Sequence, residues 1–128
     1  MFTHKVGVTF SNDAGTITST TDTYLVDAEV NLDDTVTAGA SNKEFDVNIT
    51  QANIKTLCLM STKDVTLKTN STSTPQETIN LAANKQLVWT IDHLEAKPFS
   101  GNVTKFYFTN SGTSDATIKF RCGMSVGV

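Results

Sequence analysis

The sequence predicts an all-β protein: a single antiparallel, jelly-roll-like β-sandwich of about eight to ten strands, spanning residues 1–128 as one domain. Three observations carry that expectation. Apolar residues recur at every second position in several short runs, the spacing of a half-buried strand. Threonine occurs 22 times, while charged residues make up only 18% of the chain. Clusters rich in Gly, Asn, Asp and Ser interrupt the apolar runs at short, regular spacing. Threonine is β-branched, so it suits a pleated surface and serves poorly inside helices. A chain of 128 residues can bury roughly two thirds of its unfolded surface without disulfides or metals.

Phe2, His4, Val6, Val8 and Phe10 form the first alternating run, closed by a turn-forming segment at 11–15. The threonine-rich segment 16–23 reads as either an edge strand or a loop. Residues 24–30 predict another strand, Asp33-Asp34 a turn, and 37–42 a further turn. Phe45, Val47 and Ile49 alternate with polar neighbours. Residues 54–60 are nearly continuous in apolar character, as in a strand covered on both faces. Val65 and Leu67 lead to a polar loop at 70–76. Ile79 and Leu81 precede a turn at 82–85 and the strand Leu87-Val88-Trp89. Residues 91–97 are the only helix-like stretch and end at Pro98, so a single turn is expected there. The clearest pattern is the last one. Phe106 and Phe108 alternate with Lys105, Tyr107 and Thr109. After a turn at 110–115, Ala116, Ile118, Phe120, Cys122, Met124 and Val126 share one face, with Thr117, Lys119, Arg121 and Ser125 on the other. Lys5, Lys68, Lys105 and Lys119 face outward in these strands and are expected to blunt sheet edges.

The net charge is -3, with one arginine (Arg121) and nine dispersed lysines, so no nucleic-acid partner is expected. No apolar run reaches membrane-spanning length, and the first residues lack the apolar core of a signal peptide. No membrane partner is expected, and synthesis in a cytoplasm is. Cys58 and Cys122 lie far apart in sequence and leave three readings: free buried thiols, an intrachain disulfide, or a bridge to another subunit.

No catalytic, metal or cofactor set emerges. Gly123-Met124-Ser125-Val126-Gly127 matches a nucleophile elbow in letters, but that motif needs a following helix and downstream acid and histidine partners. Asp92-His93-Leu94-Glu95 sets a histidine between carboxylates with no nucleophile to serve. Two histidines and two isolated cysteines do not make a zinc spacing. Asn48, Asn70 and Asn102 begin glycosylation triplets at about the frequency chance supplies in a Thr-rich chain, and the Asp-containing turns lack calcium-loop spacing. An enzyme is therefore not expected. Trp89 reads as a core residue, with a sugar-stacking platform as the alternative that would make the chain a carbohydrate-binding module. Phe99, on the 98–102 loop, is a candidate interface anchor unless it folds back onto the core. The first strand is the other interface candidate, through Phe2, Val6, Val8 and Phe10, because it could add to a neighbour's sheet.

Asp64-Val-Thr-Leu-Lys-Thr-Asn70 and Ile79-Asn-Leu-Ala-Ala-Asn-Lys-Gln-Leu-Val-Trp-Thr90 form a block of strand, polar loop, strand, turn and Trp. Lys105-Phe-Tyr-Phe-Thr-Asn110 and Ala116-Thr-Ile-Lys-Phe-Arg121 follow it. Over residues 45–122 this resembles small β-sandwich virion proteins of tailed bacteriophages, including capsid decoration (cement) proteins. The resemblance implies a structural protein on the capsid exterior, made in the host cytoplasm, which binds the major capsid protein and copies of itself as a trimer. A neck or tail location is the alternative within that class. No site residue is carried over from it.

Overall fold

Four nested antiparallel strand pairs, rolled so that alternate strands fall in opposite layers, make the body of the protein. The structure is a computed structural model, in which residues 1–125 are described. The strands are β1 (Phe2–Asn12), β2 (Gly15–Val26), β3 (Ala28–Val36), β4 (Lys43–Ile49), β5 (Ile54–Ser61), β6 (Val65–Thr69), β7 (Thr78–Leu81), β8 (Leu87–Thr90), β9 (Val103–Thr109) and β10 (Ala116–Met124). β3 pairs with β10, β4 with β9, β5 with β8 and β6 with β7. Links between β10 and β5 and between β9 and β6 complete two four-stranded sheets, ordered β3-β10-β5-β8 and β4-β9-β6-β7. This is the eight-stranded double-sheet arrangement of a jelly roll. β1 and β2 stand apart as a separate two-stranded hairpin.

The core lies between the two sheets and is aromatic at its centre. Phe99, Phe106, Phe108 and Phe120 are fully buried, with ring centroids 5.1 to 5.9 Å apart along the chain of contacts 99–106, 106–108 and 106–120. Val36, Ile49, Ile54, Leu57, Leu59, Leu67 and Ile118 fill in around them. The alternation in β10 (Ala116, Ile118, Phe120, Cys122 buried) is the pattern read from sequence. Val126, placed on that same face, lies outside the described residues.

Several local expectations are resolved or corrected. Of the two readings of the 16–23 segment, strand or loop, the strand holds: it belongs to the twelve-residue β2 and pairs with β1 except at Ile17, where the register shifts at a bulge. Asp33 and Asp34 form no turn. They lie inside edge strand β3, where Asp33 accepts two hydrogen bonds from Arg121 of β10 at 2.9 and 3.1 Å. Residues 91–97 hold a turn and bends, as expected, and no helix; among the described residues a 3-10 turn lies at Gln51–Asn53, which was not foreseen. Three of the four outward lysines sit on inner strands (Lys68 on β6, Lys105 on β9, Lys119 on β10) and so protect no edge. The sandwich edges are blunted by other means. β7 and β8 have only four residues each, β3 carries Glu29, Asp33 and Asp34, and β4 carries Lys43, Glu44 and Asp46.

Cys58 and Cys122 are free thiols on adjacent strands. Their register separates them, since Cys58 stands opposite Arg121 on the outer face and Cys122 opposite Leu57 on the core face. Successive residues of a strand point to opposite faces, so no intrachain disulfide joins them. Burial pushes the Cys122 thiol up to about 12, and burial also raises that of Cys58. A thiol reagent at pH 8 is expected to modify Cys58 slowly and Cys122 only after unfolding, as mass spectrometry of timed samples would show.

Asn70 pins one end of the second sheet. Its backbone is left-handed, with φ of 67°. Its side-chain amide donates to Gln76 Oε1 and the Asn102 carbonyl, and its Oδ1 accepts from the Thr104 N–H, each at 2.9 Å. Replacing it with alanine is expected to lower unfolding free energy by about 1–3 kcal/mol, read by urea titration, because three bonds and an asparagine-tolerant conformation go together.

Candidate functional site

The hairpin of β1 and β2 extends over the outer face of the first sheet as an arm. Strands of eleven and twelve residues at about 3.3 Å per residue make it roughly 35 Å long. Side chains at directly paired positions share a face. One face therefore carries Phe2, His4, Val6, Val8 and Phe10 from β1, opposite Val26, Tyr24, Asp22, Thr20 and Thr18 of β2. The base of this face is fastened to the body. Val26 is fully buried. The His4 imidazole lies over the sheet, with Nδ1 2.6 Å from Thr56 Oγ1 and Nε2 2.5 Å from Glu29 Oε2. The ring nitrogens thereby bridge a hydroxyl on β5 and a carboxylate on β3. The Tyr24 hydroxyl donates to Asp92 at 2.8 Å and lies 3.1 Å from Thr90 Oγ1. Gly123 lies under His4, where a Cβ atom would come within 2.9 Å of the ring.

Beyond this latch the arm leaves the body. From Gly7 to Thr23 every residue except Thr18 is exposed. A cleft of about 470 Å³ opens between arm and sheet, with Val6 and Gly7 on its roof and Glu29, Cys58, Val88 and Arg121 on its floor. Val8 (44% exposed) and Phe10 (57%) continue the apolar stripe past the cleft, and Ile17 stands out at 77%.

The other large exposed apolar residues are on the arm or beside it. Met1 precedes the arm, Phe2 and Leu25 are on it, and Val88, Ile91 and Leu94 are on β8 and the loop after it, the segment that Asp92 ties to Tyr24. The outer face of the second sheet is polar by contrast. There Lys105 of β9 reaches Glu44 at 3.2 Å and Asp46 at 2.5 Å on β4, and these bonds hold its ammonium above the usual lysine range. The molecule has one solvated side and one side with uncovered apolar groups.

Of the interface candidates, Phe2, Val6, Val8 and Phe10 come together on one face of the arm. Phe99 does not join them. It is 0% exposed and packs on Phe106 at 5.9 Å, having folded back onto the core. Trp89 is likewise buried; its Nε1–H donates to the Glu95 carbonyl and Lys97 sits 5.6 Å over its ring, so it offers no stacking face. Tyr107 is half-buried among the charges of the second sheet. His93 holds a turn, its Nδ1 accepting from the Thr90 N–H at 3.3 Å. Of the elbow-like motif, Val126 and Gly127 lie outside the described residues. Among the described residues no group of three or more His, Cys, Asp or Glu is placed to hold a metal ion, and no helix is long and apolar enough to cross a membrane.

Sequence reasoning missed the latch. A histidine in an alternating strand gives no sign of what it touches, and Thr56, Glu29 and Gly123 lie on three other strands. Ile17 was hidden too, as a lone apolar residue in a threonine run. No protein-family model matches this chain, and no curated protein or solved structure matches it.

Proposed function

We propose that this chain is a structural assembly protein that binds through its hairpin arm, and that it serves as a decoration protein on the capsid exterior of a tailed bacteriophage. The observation that carries the reading is the uncovered apolar stripe of Val8 and Phe10 on an arm fixed to a rigid body at its base. A two-stranded hairpin is marginal in water by itself. An arm whose apolar face outruns its own support gains stability when a partner covers it. The jelly-roll body, its polar second sheet and the low net charge suit a module that sits on a larger shell. The capsid part of the reading rests on the resemblance of residues 45–122, and the major capsid protein and further copies of this chain are the partners it names. Binding that bridges shell subunits stabilises the assembled state by mass action.

Quantitative mass spectrometry of gradient-purified particles from the source tests this. A copy number comparable to that of the major shell protein is expected. A count many-fold lower would move the chain to the neck or tail. Its absence from particles would overturn the virion reading.

A further inference from the structure

We infer that the outer edge of β1 is a self-association site, pairing antiparallel with the same edge of a second copy to form a four-stranded sheet across a twofold axis. The inference rests on reading the arm as an assembly element and adds the edge, register and twofold symmetry through which two copies meet. Three features of the arm support it.

The first is the edge itself. β1 and β2 form a sheet of two strands only, so each has one side unpaired. Among the described residues, no backbone hydrogen bond outside the hairpin ladder involves any residue from Phe2 to Val26. Long exposed edges invite pairing unless charge, proline or shortness blunts them. Every edge of the sandwich is blunted in one of these ways, whereas β1 is eleven residues long with no proline and Lys5 as its one permanent charge.

The second is self-complementarity. With Gly7 opposite Gly7 of the second copy, all residues of β1 pair, Phe2 opposite Asn12 and so inward. Val6 then faces Val8 of the second copy, and His4 faces its Phe10. Paired positions share a face, so the two apolar stripes become neighbours. Pairing through β2 would instead set Thr18, Thr20 and Asp22 along the junction, which is the poorer apolar match.

The third is where the register puts the uncovered residues. Val8 and Phe10 of one copy come beside Val6 and His4 of the other, the part of the arm that already lies against a body and roofs the cleft. The latched end of each arm thereby shelters the uncovered end of its partner, and reciprocity closes the assembly at two copies.

The test uses the purified full chain, so its failure would leave the particle count above unaffected. Sedimentation equilibrium is expected to show a dimer. Val8→Lys, an exposed position clear of the latch, is expected to raise the dimer dissociation constant by about tenfold or more. Gly7→Cys asks only the exposed Thr21 hydroxyl, 3.3 Å from the added Cβ, to give slightly, the Thr20 carbonyl oxygen lying at an ordinary 3.7 Å. It is expected to give a disulfide-linked dimer on mild oxidation, while Thr21→Cys on β2 and the parent chain do not. A monomer at all concentrations would overturn the inference. So would a dimer indifferent to Val8→Lys, or a disulfide-linked dimer formed through Thr21→Cys and not through Gly7→Cys, which would mean that β2 pairs with β2 across the twofold axis.

Discussion

Phe106→Ala is expected to cost about 3–5 kcal/mol of unfolding free energy, the range for removing a buried aromatic ring. Phe106 is fully buried on β9, and its ring touches those of Phe99, Phe108 and Phe120, drawn from a loop, its own strand and the facing sheet. The cost is expected near the top of the range because the cavity is hard to close. β9 is hydrogen-bonded to β4 on one side and β6 on the other, so its backbone cannot move inward without breaking a ladder. Guanidinium unfolding should show a lower midpoint with an unchanged slope. Phe10→Ala supplies the contrast. Phe10 is 57% exposed on the arm, and its loss should leave monomer stability within about 0.5 kcal/mol. A loss below about 1 kcal/mol at Phe106 would mean that the aromatic cluster is not the centre of the core.

The strands of the body were legible because their burial has period two. β10 is the clearest case: one face meets the second sheet and the other meets solvent or the arm, so every residue declares its side. β5 reads differently because it is covered twice, by the core on one face and by the latch on the other. Thr56 is buried on that second face, and Ile54 to Met60 accordingly looked almost uniformly apolar. The misreadings have a physical pattern as well. β2 stayed open between strand and loop because threonine serves both, and its exposed faces impose no alternation. Asp33 and Asp34 resemble a turn because acids favour turns, yet on an edge strand they keep a solvent-facing side, and Arg121 from the neighbouring strand supplies a partner. Phe99 was placed at the surface because it sits on a loop. The loop instead carries it into the core, onto Phe106.

For the candidate site, sequence located the apolar members and missed what holds them. Alternation in β1 brought Phe2, Val6, Val8 and Phe10 to one face without the structure. It could not say that the stripe is half supported and half free, because that depends on where the sandwich ends beneath it. The latch residues come from β1, β3, β5 and β10, up to 119 positions apart between His4 and Gly123. No local pattern connects them.

Gly123→Ala is expected to free the arm while leaving the sandwich folded. A glycine-to-alanine change in a strand with ordinary backbone angles would by itself stabilise by about 0.4–1 kcal/mol, through loss of unfolded-state freedom. Here the added methyl would lie 2.5 Å from Thr56 Oγ1 and 2.9 Å from the Cε1 and Nδ1 atoms of His4. Thr56 is buried, and turning its hydroxyl away would itself break the contact with His4 Nδ1. The imidazole cannot yield freely either, because it is held between Thr56 and Glu29, and moving it lifts the base of β1. Overpacking of this kind costs about 1–3 kcal/mol, and it falls on the arm because the core side of Gly123 is untouched. Hydrogen exchange should show amide protection in β1 and β2 falling by about tenfold or more, with protection in β5, β9 and β10 retained. His4→Ala should free the arm by the same route without the clash, and the two changes together should be far from additive, since both remove one contact. Unchanged protection in Gly123→Ala would mean that His4 is not what holds the arm, leaving buried Val26, the Tyr24 bonds and the Asp27 N–H to Met124 carbonyl bond to fasten it.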